Sequence, residues 1–284
     1  MGLVAHSGKI AGSDLLRRAA ALIRAAGRTV LADATTAISA GLKCPVLPDV
    51  HTLANRVDLL LVFGGDGTLL GVARETAGCT TPLLGINIGG LGFLTAVPSE
   101  ELARALKRIW AGEFSFESRA LLEASGRCLG RPVRRTALND IVISRGVMSR
   151  LIALDVSVNG EPVTRYRCDG LIVSSPTGST AYSLAAGGAL VYPTADVFAL
   201  TPINPHTLSN RSLILPLTAS IRISAINPKP STILSADGEV VGELDAGETV
   251  TVRRSRHHIR LMHLTGSSFF NALRVKLQWR GANV

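Results

Sequence analysis

The chain has 284 residues, 46% hydrophobic but only 4% aromatic, and 30 Lys and Arg against 21 Asp and Glu give it a formal charge of +9. That describes a globular protein with an aliphatic core. No apolar run reaches the ~18 residues that cross a bilayer, Met1 to His6 lack the basic n-region and cleavage site of a signal peptide, and Cys44, Cys79, Cys128 and Cys168 form no C-x-x-C pair of a zinc site or disulfide framework. A cytoplasmic protein with reduced thiols and no membrane contact is expected. The positive surplus suits anionic partners. No basic run is interleaved with aromatics, as single-strand binders require, so nucleotide substrates account for the charge and no nucleic acid is expected. The run Arg253-Arg254-Ser255-Arg256-His257-His258 reads as a solvated basic strand.

Up to about residue 116 the pattern alternates strands and helices. Gly2 to Ala5 predicts a strand. Ser13 caps a helix with Leu15, Leu16, Ala19, Leu22, Ile23 and Ala26 on its inner face, ended by Gly27. Strands follow at Thr29 to Ala32, Val57 to Phe63 and Pro82 to Ile88. Val57 to Phe63 is almost wholly apolar, as a parallel strand buried on both faces must be. Thr68 to Glu75 predicts a helix, and Ser99 caps another with Leu102, Leu106, Ile109 and Trp110 as its stripe. The fold class is an α/β domain with a Rossmann-like parallel sheet over residues 1–116.

From Glu117 the period becomes two, and residues 117–265 predict a β-rich domain, a β-sandwich or a barrel. Strands are expected at Ala137 to Ser144, Leu151 to Val158, Val163 to Arg167, Ser220 to Ala225, Thr232 to Leu234, Thr249 to Arg253 and His258 to His263, with Asn159-Gly160 as a hairpin turn. Residues 266–284 carry helical spacing at Phe270, Leu273 and Leu277 and are expected to pack back on the first domain.

The most informative stretch is Gly64-Gly65-Asp66-Gly67-Thr68 after an apolar strand. Three glycines let backbone N–H groups approach phosphate oxygens, and the following helix N-terminus favours anions. A carboxylate inside such a cradle could hold a metal or take a proton from an attacking hydroxyl; alternatively it only caps the helix. There is no P-loop motif. Gly85 to Thr95 is a second glycine-rich turn, where Asn87 and Gly89-Gly90 either line the same cleft or serve close packing. Asn139-Asp140 is a functional pair if the strand bends there, or a simple strand-entry turn. Asp169-Gly170 leads to Pro176-Thr-Gly-Ser-Thr-Ala-Tyr-Ser183, a hydroxyl-rich turn opening a helix of small residues, suited to a purine edge or phosphate. Tyr182 is there either to stack or to fill core. Ser235-Ala236-Asp237-Gly238-Glu239 reads as a type I′ hairpin turn.

In this order, the turn at Asp66, the Asn139-Asp140 pair, Asp169-Gly170, Pro176 to Ser183 and Gly187-Gly188 resemble the NAD kinases, the bacterial ones above all, and Leu91 to Thr95 and Pro205 to Ser209 match as well. The glycine turn alone is shared with diacylglycerol and sphingosine kinases and phosphofructokinases, so a lipid kinase and a non-catalytic nucleotide sensor stand as alternatives. The Pro176 to Ser183 segment is the discriminating one. The resemblance implies an active site between an α/β and a β-rich domain, and transfer of the γ-phosphoryl of ATP, or of polyphosphate, to the adenosine 2′-hydroxyl of NAD. It implies Asp66 as general base, with Gly64, Gly65, Gly67 and Thr68 at the phosphates and Gly67 also beside NAD. Asn139 and Asp140 would hold the ribose and nicotinamide side. Asp169, Thr180, Ala181, Tyr182, Ser183, Leu184 and Ala185 would hold the substrate, with Arg150, Arg167 and Glu239 as further contacts. Arg167 goes with preference for NAD over NADH. Mg²⁺ would arrive with ATP, without a dedicated protein metal site, and the assembly would be a homodimer or homotetramer. Asp140 stands where Glu is usual and Glu239 where Gln is more frequent.

Overall fold

The structure, a computed structural model, describes residues 1–5, 13–90, 92–95, 97–146, 151–206, 211–226 and 232–279. It divides into two compact units, Met1–Ser118 with Ile259–Val284, and Arg119–His258.

In the first unit β1 (Gly2–Ala5), α1 (Ser13–Ala25), β2 (Leu31–Asp33), α2 (Ala34–Ala40), β3 (Val46–Leu47), α3 (Val50–Ala54), β4 (Leu60–Gly64), α4 (Asp66–Glu75) and β5 (Leu83–Asn87) follow one another. The strands are parallel in the order β3-β2-β1-β4-β5. Chain direction across the sheet therefore switches between β1 and β4, the place where such sheets bind ligands beyond their carboxyl ends. Leu60 to Phe63 are all buried, which is why β4 reads as an unbroken apolar run. A short β6 (Val97–Pro98) and α5 (Leu102–Trp110) complete the set, α5 being preceded by a single 3₁₀ turn over Ser99–Glu101.

Several expectations shift. On α1 the buried face is Leu16, Ala19, Ala20 and Ile23, while Ala26 lies beyond the helix and is exposed. The helix ends one residue early because Gly27, at φ +70°, turns the chain. α2, β3 and α3 carry no predicted counterpart. They are too short for periodicity to register, although Asp33 and Asp49 cap α2 and α3 by accepting from the N–H of Thr36 and Thr52.

The second unit holds two antiparallel sheets. One contains β10 (Ile152–Val158), β11 (Glu161–Cys168), β15 (Ile221–Ala225), the first part of β18 (Thr249–Leu264), and the hairpin of the later part of β7 (Phe114–Cys128) and β8 (Arg131–Ala137). The other runs β14-β13-β12-β9-β16-β17, formed by β9 (Asp140–Arg145), β12 (Gly170–Ser174), β13 (Val197–Ile203), β14 (Leu213–Pro216), β16 (Thr232–Ala236) and β17 (Glu239–Leu244). Alternating residues of both sheets meet in one core, Leu122, Leu154, Ile223 and Val250 from the first, Ile143, Val173, Phe198 and Leu234 from the second. This is a β-sandwich.

The expected strand over Ala137 to Ser144 is broken at Leu138-Asn139, so β8 and β9 belong to different sheets. The two strands expected around the basic run are one, because exposed arginines flank a buried Ser255 and extended geometry continues through them. β18 starts in the second unit and ends in the first, where Leu261 pairs with Leu83 of β5. The units therefore divide after 258, not at the expected 265. In the tail, α7 (Phe269–Lys276) buries only Leu273; Phe270 is 57% exposed, and the expected three-residue stripe is reduced to one anchor.

Candidate active site

In the first unit the glycine turn sits where β4 hands over to α4. A Cβ on Gly64 would lie 2.3 Å from Thr68 Oγ1, so this glycine is required by the chain's own packing. Gly65 and Gly67 have open space beside them, and at the start of α4 the N–H groups of Thr68 and Leu69 donate to the Gly65 carbonyl at 3.0 and 3.3 Å, leaving those of Asp66 and Gly67 as the ones a helix start leaves to a ligand. Asp66 is in that first turn, but its side chain does not cap α4. Its carboxylate reaches across to residues 93–95. Oδ1 accepts from the N–H of Leu94 at 3.1 Å, from the N–H of Thr95 at 3.0 Å and from the Thr95 hydroxyl at 3.0 Å, while Oδ2 accepts from the N–H of Phe93 at 2.8 Å. A carboxylate offers about four lone-pair sites, two on each oxygen. Oδ1 is saturated, and Oδ2 keeps room for one more donor.

The second glycine turn builds that seat. Asn87 Nδ2 donates to Thr95 Oγ1 at 2.8 Å and to the Gly90 carbonyl at 2.9 Å, and Asn87 Oδ1 accepts from the Gly89 N–H. The Thr95 hydroxyl, accepting from Asn87, must give its proton to Asp66. A Cβ on Gly92 would lie 1.9 Å from Asp66 Oδ1, and one on Gly85 2.8 Å from the Thr95 Cα. Asn87 and Thr95 thus share one hydrogen-bonded cluster with Asp66, and Gly92 packs against it. The role of Thr95 was not legible beforehand, because nothing local marks a threonine that bonds 29 residues away.

In the second unit, Asn139 and Asp140 occupy the break between β8 and β9, and the bend they need is present. Ser175 fastens the break, its N–H donating to the Asn139 carbonyl at 2.9 Å and its hydroxyl to the Leu138 carbonyl at 2.5 Å. Gly178 packs directly on it, for a Cβ there would lie 2.1 Å from the Asn139 oxygen. Asp237 meets it from the opposite hairpin, accepting from the N–H of Leu138, Asn139 and Asp140 at 2.9, 2.8 and 3.2 Å. Asp140 is buried, and that burial, followed by the charge of Asp237, pushes its carboxyl up to about 7.

The segment after β12 is a 3₁₀ turn, Thr177–Thr180, and one helical turn, α6 (Tyr182–Ala185), where a longer helix was expected; Gly187 at φ +82° stops it. Most of its hydroxyls face inward. Thr177 Oγ1 accepts from buried Arg119, Ser179 joins Pro176 to Val191, and Ser183 bonds Thr201. Ser183 is fully buried, so its hydroxyl is structural in this arrangement. Thr180, Ala181 and Leu184 are half-buried, Ala185 is exposed, and Tyr182 is 47% exposed, a ring outside the core. Asp169 is held by Arg145 at 2.7 Å and by Asn204 at 3.0 Å, two partners that no local pattern in the sequence marks. Arg167 and Glu239 are exposed. Arg150, Leu91 and residues 207–209 lie outside the described residues.

Two family models cover most of the chain: the ATP-NAD kinase N-terminal domain matches residues 2–114 and the ATP-NAD kinase C-terminal domain residues 138–264. NAD kinase of Syntrophotalea carbinolica is 43% identical over 81% of this chain and 81% of its own length, and that of Methylibium petroleiphilum 39% identical over 89% and 85%. The crystal structure of yeast NADH kinase complexed with NADH superimposes with a TM-score of 0.89 at 27% identity, covering 100% of this chain and 88% of that one. An NAD kinase from Archaeoglobus fulgidus in complex with ATP shares the fold at a TM-score of 0.76 and 24% identity, over 99% of each chain. With both domain models matched in order and relatives this similar along most of its length, the chain belongs to the NAD kinase family.

Proposed function

We propose that Asp66 is the general base of this chain, acting through Oδ2. The reaction is that of the family: the γ-phosphoryl of ATP passes to the adenosine 2′-hydroxyl of NAD, giving NADP. A ribose hydroxyl is a poor nucleophile at neutral pH, and a carboxylate within hydrogen-bond reach takes its proton as the new P–O bond forms. The observation that carries the assignment is the asymmetric seat of Asp66, three donors on Oδ1 and one on Oδ2. It fixes the side chain and leaves one oxygen able to accept. The N–H groups of Asp66 and Gly67 at the start of α4 would stabilise the phosphoryl charge that spreads in the transition state.

We assign Asn139 and Asp140 to the ribose and nicotinamide side of NAD, and Thr180, Ala181, Tyr182, Leu184 and Ala185 to the adenine side, with Tyr182 as the stacking ring. Asp169, Arg150, Arg167 and Glu239 are further substrate contacts, and Arg167 favours NAD over NADH. Ser183 shapes this segment from inside. Magnesium keeps most of its water and takes one or two carboxylates plus substrate phosphates. The single open position on Asp66 Oδ2 is kept for the ribose hydroxyl, so a cation would be held by the triphosphate and water, and the chemistry it would supply is to neutralise phosphate charge. The protein would work in the cytoplasm as a homodimer or homotetramer.

The test is an assay of the purified protein with Mg²⁺, with ATP or polyphosphate as donor and NAD or NADH as acceptor, following the phosphorylated dinucleotide. Asp66→Asn should lose about 10²- to 10⁴-fold in turnover while NAD affinity is retained. Turnover near that of the wild type in this variant refutes the role of Asp66, and equal kcat/KM for NAD and NADH refutes that of Arg167.

A further inference from the structure

We propose that Asp237 is a positioning residue for substrate binding: its carboxylate sets the path of the Leu138-Asn139-Asp140 backbone and so presents Asn139 and Asp140 to NAD. The proposal rests on the assignment of that pair to NAD.

Asp237 lies at the tip of the β16–β17 hairpin, about a hundred residues along the chain from the segment it touches. Three consecutive N–H groups, of Leu138, Asn139 and Asp140, converge on its two oxygens. Its own N–H donates to the Asp140 carbonyl at 3.0 Å, so the contact runs in both directions. Consecutive N–H groups aimed at one point form an anion-binding concavity, and here a side chain supplies the anion. The need for it follows from topology. At the break between β8 and β9 the backbone leaves one sheet and enters the other. Its N–H groups there have no ladder partner, and buried ones must find another.

The hairpin tip itself does not need a carboxylate. Asp237 at φ +48° and Gly238 at φ +79° have the left-handed pair of a type I′ turn, which Asn-Gly and Gly-Gly make equally well. What Asp adds is an ionised acceptor with enough lone pairs for three donors. The other supports of the break, Ser175 and Gly178, touch the carbonyl side of Leu138 and Asn139. Asp237 holds the N–H side.

Two substitutions separate the turn from the clamp. Asp237→Gly keeps the left-handed backbone and deletes every acceptor. Asp237→Asn keeps the shape, one carbonyl oxygen and the turn. The measurements are KM for NAD, KM for ATP, kcat and a thermal melt. For Asp237→Gly the expected result is a rise of about 10- to 100-fold in KM for NAD, the scale of one lost hydrogen bond to a charged group, with kcat and KM for ATP within about three-fold. Asp237→Asn should lie between Gly and wild type. Unchanged KM for NAD in both folded variants overturns the proposal, as does a fall confined to kcat. Should Asp237→Gly fail to fold, the Asn variant decides alone: KM for NAD at the wild-type value refutes the clamp. Asp140→Ala is the control for the underlying assignment. If it leaves KM for NAD unchanged, the assignment itself fails; if it raises KM while the Asp237 variants do not, only the clamp fails.

Discussion

Asp140 is a carboxyl in a place that penalises its charge. Burial is the larger cause and the Asp237 carboxylate the second, and together they move it from 3.8 to about 7. A carboxyl whose value is higher in the folded state is protonated more readily there. Its contribution to stability is therefore most favourable below about pH 4, declines as pH rises, and reaches its full cost above pH 7. A shift of this size corresponds to at most about 4 kcal/mol. Asp140→Asn, which has the same shape and no charge, should exceed the wild type in stability at pH 8, and the gap should close toward pH 4. Urea denaturation at both values checks it; a gap independent of pH would mean that Asp140 is not held in this environment. If Asp140 binds NAD as proposed, part of that cost is returned there, because a buried carboxyl binds a ribose hydroxyl more strongly than a hydrated one does.

At the scale of elements, two glycines test two kinds of close approach. A Cβ on Gly92 meets the end of a side chain, Asp66 Oδ1, whereas a Cβ on Gly178 meets the backbone of Asn139. The first neighbour can rotate away and the second cannot. Gly92→Ala should thus fold with little loss of melting temperature and lose turnover, because the displaced carboxylate leaves its four donors. Gly178→Ala should cost about 1–3 kcal/mol in stability, the usual range for overpacking, and raise KM for NAD. A normal melt and normal KM in Gly178→Ala would show that the break between β8 and β9 is looser than its contacts imply. These elements were unevenly legible in the sequence. β4 and α4 were plain because a run buried on both faces and a glycine turn are local signals. Asn139-Asp140 was visible as a pair, but its holders were not, since Ser175, Gly178 and Asp237 reach it only through tertiary packing. Short capped pieces such as α2 and α3 escaped because seven and five residues give periodicity too little length. Ser183 was assigned to substrate on its motif, and only the bond to Thr201 reveals that its hydroxyl points inward.

For the whole molecule, the sequence period changes near residue 116, and the first stretch of the first compact unit runs to Ser118. The return of the chain to the first unit was not marked, because β18 passes through that limit without any change of composition. Ile259, Leu261, Met262 and Leu264 are all buried, and Met262 and Leu264 belong to the same core as Leu3, Leu16 and Leu61. At about 1.5–3 kcal/mol for each buried aliphatic side chain, these four contribute as much as the net stability of an ordinary domain, about 5–15 kcal/mol. A fragment of residues 1–118 should accordingly fail to fold, although it contains the glycine turn and every parallel strand from β1 to β5. Circular dichroism and gel filtration of that fragment decide the point; a cooperative melt would show the first unit to be complete without β18.

The long strand also sets a timetable. A ribosome makes the parallel sheet first, and the strand that covers the Leu83 end of β5 nearly last. At roughly 5–20 residues per second, residues 1–118 wait about seven to thirty seconds for β18 while residues 119–258 are made. Throughout that interval the apolar segments of β1 to β5 lack the buried side chains that β18 brings to their core, on a chain still being synthesised, and exposed apolar strands are prone to join edge to edge. The glycine turn is thus translated early and matures late, and slower synthesis through the middle of the gene should lower the yield of folded protein.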